Sequence, residues 1–161
     1  MGRIEVVWDE PLPGAATGAT GRDLVERILR GDVPAPSIMP LMSLRVTGVG
    51  DGLVHLQAVP GHQHLNPIGT VHGGFAMAVL DTAMAMAIFT RLPAGVWPAS
   101  IEIQTRFHRP LYPDSGAVEA EGRILHLGTT TATAEADLRD ASGRLAAHAT
   151  CTCAILEMPA Q

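Results

Sequence analysis

The chain is 161 residues long, 47% hydrophobic and 17% charged, which suits one packed domain and rules out general disorder. Its net charge of −5 and its 4% aromatic content argue against nucleic acid and anionic membrane surfaces as partners. All 11 basic residues are arginine, which excludes Schiff-base, pyridoxal and P-loop lysine chemistry.

Residues 1–40 read as an N-terminal arm with one short helix, and residues 41–161 as the main domain. Pro11, Pro13, Gly14, Gly18 and Gly21 make the first twenty positions a loose arm. Arg3, Glu5 and Asp9 do not fit a signal peptide, so the expected location is a reducing cytoplasm. Between Arg22 and Arg30, Leu24, Val25, Ile28 and Leu29 fall at helical spacing, with Gly31 as the stop. Pro34, Pro36 and Pro40 predict an extended connector. From Leu41 the period becomes two, and the Gly50-Asp51-Gly52 turn joins two strands ending near Val49 and Val59.

A loop from His62 to Thr70 precedes Val71 to Leu92, a segment of strong helix formers apolar nearly all round. Such a helix belongs inside the protein; its apolar run Phe75 to Phe89 is shorter than the roughly 20 residues of a bilayer span. Four alternating runs follow: Ser100–His108, Ala117–Leu127, Thr129–Leu138 and Arg144–Glu157. The predicted fold class is α+β, an antiparallel sheet, closing as a meander, wrapped around one long buried helix. Cys151 and Cys153 point to one strand face, a spacing poorly suited to a mutual disulfide, and read as small core residues.

No GxSxG, HExxH, GxxxxGK[ST] or post-strand GxGxxG pattern is present. The segment Asn66 to Gly74 is more informative. It holds the chain's one asparagine, and Gly73 and Gly74 fall at the helix start, where backbone N–H groups are unpaired and the dipole is positive. Those N–H groups can hold a developing oxyanion, while the same glycines equally suit a helix packed tightly on a strand. Asp81 sits among Met77, Ala78, Met84 and Ala85. A carboxylate there must be paired, capped or opened to a cavity, and burial would raise its pKa toward the range of a general base. His72 and Asp81 are about 180° apart round a helix and roughly 10–13 Å apart along it, so they cannot meet on one substrate atom within one chain. If both ends are catalytic, two antiparallel copies of the helix must share the site. His62 and His64 lack a third ligand at metal spacing, and neither a metal nor a cofactor is expected. Met77, Met84 and Met86 read most simply as core, with an acyl tunnel as the alternative.

The run Asn66-x-x-Gly69-x-x-His72-Gly73-Gly74, with Asp81 following inside a buried helix, resembles the hotdog-fold thioesterases over about residues 41–157. It is most similar to the branch of the phenylacetic-acid-degradation thioesterases and the human acyl-CoA thioesterase of that type. The resemblance implies hydrolysis of aryl- or short- to medium-chain acyl-CoA thioesters. It implies Asp81 as general base or nucleophile and the Gly73 N–H as oxyanion donor, with Asn66 and His72 supporting that end and Gly74 beside it. Ser100 matches a position that orients water. The implied assembly is a homo-oligomer, at least a dimer and, as expected here, a homotetramer. Family members often carry Lys or Arg after the turn glycine near the CoA phosphates. Here Gly128 is followed by Thr129 and Thr130, leaving Arg106 and Arg109 as candidate phosphate contacts or as ordinary solvated charges. A hotdog enoyl-thioester hydratase and a non-catalytic acyl-thioester-binding protein remain as alternatives.

Overall fold

The computed structural model describes residues 2–7 and 18–157; most of the Pro/Gly-rich arm lies outside the described residues. Helix α1 (Gly21–Arg30) begins at Thr20, whose hydroxyl accepts from Asp23 N while the Asp23 carboxylate accepts from Thr20 N, and it stops at Gly31 with φ 75°. Leu24 and Val25 are its buried side chains, and its Gly21 amide donates to Leu92 O at 3.1 Å. The connector is not wholly extended: Ile38–Leu41 forms a single turn, α2, with Pro40 inside it. So short a helix has few internal bonds for proline to break.

Six strands form one antiparallel sheet in the order β1-β2-β4-β5-β6-β3. They are β1 (Leu44–Gly50), β2 (Leu53–Ala58), β3 (Val96–Phe107), β4 (Val118–Leu127), β5 (Thr131–Arg139) and β6 (Leu145–Glu157). The meander holds for β4-β5-β6, but β3 does not pair with β4. It runs beside β6 as an edge strand, with Ser100 opposite Cys153 and Phe107 opposite Ala147. β2 takes the place next to β4.

Helix α3 (Gly73–Phe89) lies in the hollow of this sheet and packs on β2, β3, β4, β5 and β6. Val79, Leu80, Ala83, Met84 and Ile88 are fully enclosed, as are Val54, Ala134, Ala136 and Leu138 of the sheet. The approach is closest at Gly122 of β4, where a Cβ would collide with the Ala83 carbonyl. Against the expectation of complete burial, one stripe of α3 is open. Gly74, Met77, Ala78, Asp81, Thr82 and Ala85 are exposed or half-buried, beside the uncovered edge strand with Ile101 64% exposed. Small alanines raise the helix's hydropathy without adding enough area to demand a cover. Met84 and Met86 are core, whereas Met77 is 37% exposed. Among the described residues, no helix is long and apolar enough to cross a membrane.

Candidate active site

The loop ahead of α3 is built around Asn66. Its Oδ1 accepts from the Ile68 and Thr70 amides at 3.1 and 3.2 Å, and its Nδ2 donates to Thr70 Oγ1 at 2.7 Å. This Asx turn, completed by Gly69 at φ 83°, folds the loop back so that Leu65 bridges Val71 and the His72 amide reaches His64 O at 2.7 Å. Asn66 Oδ1 and one Nδ2 proton are thereby engaged inside the loop.

His72 is the N-cap of α3: its Nδ1 accepts from Gly74 N at 2.8 Å. That bond consumes the Gly74 donor. The Gly73 amide, one residue earlier, has no hydrogen-bond partner among the described residues. Gly73 lines a cavity of about 340 Å³ whose walls also include Thr70, His72, Phe107, Arg109 and Leu111. A Cβ at Gly73 would sit 3.0 Å from the Phe107 ring, so a side chain here would crowd that wall of the cavity. Arg109 thus joins His72 and Gly73 at one cavity. Arg106 is exposed on β3 opposite His148 and does not line it.

Asp81 lies eight residues further on, about 12 Å along the axis at the helical rise. It is half-buried on the open stripe, not enclosed as its apolar neighbours suggested. Thr82 does not cap it, since the Thr82 hydroxyl donates to Ala78 O at 2.8 Å. Its partner is Ser100 of β3, whose Oγ lies 2.6 Å from Asp81 Oδ1. The structure therefore brings together two groups, the cavity at Thr70–Gly73 with Arg109 and the Asp81–Ser100 pair, and leaves them apart within one chain, with Asn66 and Gly74 outside the cavity wall. No cluster of three or more His, Cys, Asp or Glu among the described residues could hold a metal.

Features absent from the sequence reading adjoin both groups. Cys153 Sγ is 3.7 Å from Ser100 Oγ and 3.8 Å from Cys151 Sγ, and both thiols are free and buried. The hydrogen bond with Cys151 first, and then that with Ser100, draw the Cys153 thiol below its ordinary value, with burial and the Asp81 charge opposing, while the Cys153 bond and burial push Cys151 up. His64 accepts from Gly61 N through Nδ1 and packs on Phe75 with ring centroids 4.5 Å apart, while its buried Nε2 has no partner. Residue type alone marks none of these: the Ser100–Cys153 contact joins residues 53 positions apart, and the shared strand face of the two cysteines reads by itself only as core packing.

The sequence profile of the thioesterase superfamily matches residues 68–147. A phenylacetic acid degradation protein PaaI from Thermus thermophilus, solved as a mutant, is 30% identical, with 75% of this chain and 100% of that one aligned at a TM-score of 0.68. A phenylacetic acid degradation-related protein from Ralstonia eutropha JMP134 is 28% identical, with 81% and 98% aligned at a TM-score of 0.74. The proofreading thioesterase EntH of Klebsiella pneumoniae is 34% identical over 87 residues, 54% of this chain and 59% of that protein.

Proposed function

Because the chain belongs to the thioesterase superfamily and has the hotdog fold, we propose that it hydrolyses aryl- or short- to medium-chain acyl-CoA thioesters at a site shared between two copies. The observation that carries this reading is the unpartnered Gly73 amide in a cavity, about 12 Å from a carboxylate held ready on the same helix. Each is half of a hydrolytic centre. The open stripe of α3 and the unpaired edge of β3 lie side by side, and a second copy laid antiparallel across them sets Asp81 of one chain opposite Gly73 of the other.

In that centre the thioester carbonyl oxygen points at the Gly73 N–H, at the positive end of α3, which stabilises the oxyanion as it forms. Asp81 takes a proton from water as the water oxygen bonds to the carbonyl carbon. Collapse of the tetrahedral intermediate breaks the C–S bond, and the proton passes from Asp81 to the leaving thiolate. Direct attack by Asp81, followed by hydrolysis of the anhydride, uses the same groups. His72 and Asn66 act by shape: one caps the helix and consumes the Gly74 donor, the other sets the loop. Arg109 at the cavity wall suits a phosphate of the carrier.

Thiol release from a panel of aryl, short and medium acyl-CoAs tests the reading, with wild type and Asp81→Asn side by side. Turnover that is lost in the variant supports it. A folded wild type silent across the panel overturns it.

A further inference from the structure

The Asp81–Ser100 pair continues inward. Ser100 Oγ is 2.6 Å from Asp81 Oδ1, Cys153 Sγ is 3.7 Å from Ser100 Oγ, and Cys151 Sγ is 3.8 Å from Cys153 Sγ. Four polar groups from α3, β3 and β6 form one file, with its inner end buried in the core and its outer end half-exposed. An ionised carboxylate only accepts, and a hydroxyl has one proton to give. At 2.6 Å that proton belongs to Asp81, so the Ser100 lone pairs face Cys153 and can be satisfied only by a donor. Asp81 Oδ2 has no hydrogen-bond partner among the described residues.

We propose that Cys153 is a positioning residue for the hydrolysis: its thiol donates to Ser100 Oγ, commits the Ser100 proton to Asp81 Oδ1, and leaves Oδ2 as the oxygen that meets water or the thioester. The proposal rests on the hydrolase reading. It assigns a task to a core cysteine and a division of labour to the two oxygens of one carboxylate. Each bond in the file polarises the next, so Cys151, as donor to Cys153, strengthens the outer bond as well. A thiolate at position 153 would instead compete with Asp81 for the one hydroxyl proton, so the arrangement works with the thiol protonated.

The experiment is a double-mutant cycle on kcat and KM, assayed on the acid side of neutrality where Cys153 holds its proton. Cys153→Val keeps the bulk and removes the donor, Cys153→Ser restores one, and Ser100→Ala removes the group being positioned. A thiol is a weak donor, so Cys153→Val is expected to lower kcat about three- to tenfold with KM unchanged. Cys153→Ser is expected to recover most of that loss, and Cys153→Val added to Ser100→Ala to cost nothing further. Cys153→Ala serves the same cycle if the valine variant does not fold. Wild-type kcat in Cys153→Val (or in Cys153→Ala where it replaces it), or an equal loss with and without Ser100, overturns the positioning role while leaving the hydrolase intact. A wild type without turnover overturns the hydrolase reading itself, and the proposal with it.

Discussion

The Ser100 hydroxyl meets Asp81 Oδ1 at 2.6 Å although one residue sits midway along α3 and the other in the edge strand β3. A hydrogen bond to an ionised acceptor contributes about 1.5–3 kcal/mol, equivalent to roughly 10–100-fold in rate where it aims the reacting group. Asp81→Asn keeps the shape and removes the proposed base. Its kcat is expected to fall about 10²–10⁴-fold, and that of Ser100→Ala less, with both thermal midpoints near wild type. Thiol-release kinetics beside thermal melts check this, and near-normal turnover in Asp81→Asn sinks the role given to it.

A shared site has a signature in mixtures. Gly73→Val crowds the approach to the backbone donor, where even one added carbon comes within 3.0 Å of the Phe107 ring. Asp81→Asn and Gly73→Val are each expected to be inactive alone. In a heterodimer of the two, one site carries both lesions and the other carries neither. Equal mixing with subunit exchange therefore recovers about a quarter of wild-type turnover. A site contained in one chain predicts no recovery.

The close contact between α3 and β4 makes a prediction about stability. Gly122→Ala places a carbon into the Ala83 carbonyl, and both partners are backbone. Overpacking typically costs about 1–3 kcal/mol and more where nothing can yield, so this variant is expected at the upper end or beyond. Chemical denaturation of both proteins measures it, and a wild-type midpoint would refute the contact.

The turn between β5 and β6 carries an acid-sensitive element. Asp140 Oδ1 accepts from Ser142 Oγ at 2.6 Å and from the Ser142 and Arg144 amides, and Oδ2 meets the Arg144 guanidinium. The Ser142 hydroxyl first, then Arg144, hold the Asp140 carboxyl well below its usual 3.8. A depressed carboxylate contributes stability that is present above its unfolded value and is lost as pH falls toward the folded value. Asp140→Asn is therefore expected to melt below wild type at neutral pH, with the gap closing as pH drops under about 3.8. A gap unchanged in acid would show that shape alone, not charge, holds the turn.

The hairpin of β1 and β2, α3 and the last three strands were legible within a few residues, because period-two and helical patterns are local and the turns carry glycine. The start of β3 at Val96 was not, since Pro98 breaks the pattern and an edge strand tolerates it. The order that sets β3 beside β6 is a long-range outcome with no local mark. Asp81 and Gly73 stood out from their surroundings, whereas Cys153 looked like any small core residue. Its contact with Ser100 spans 53 positions, and only the packed sheet makes it. The open stripe was misread as buried because alanine counts as apolar in a pattern while asking for little cover.

Gly122 also fixes where α3 lies on the sheet. The helix is pressed against β4 at Ala83, two residues beyond Asp81. A second backbone contact holds its far end, where a Cβ at Gly21 of α1 would meet the Phe89 carbonyl, so the stretch that follows Asp81 is fixed at two points. The carboxylate thus sits beside a clamped length of helix, and Gly73 at the loop end lies about 15 Å from the nearer clamp at Ala83.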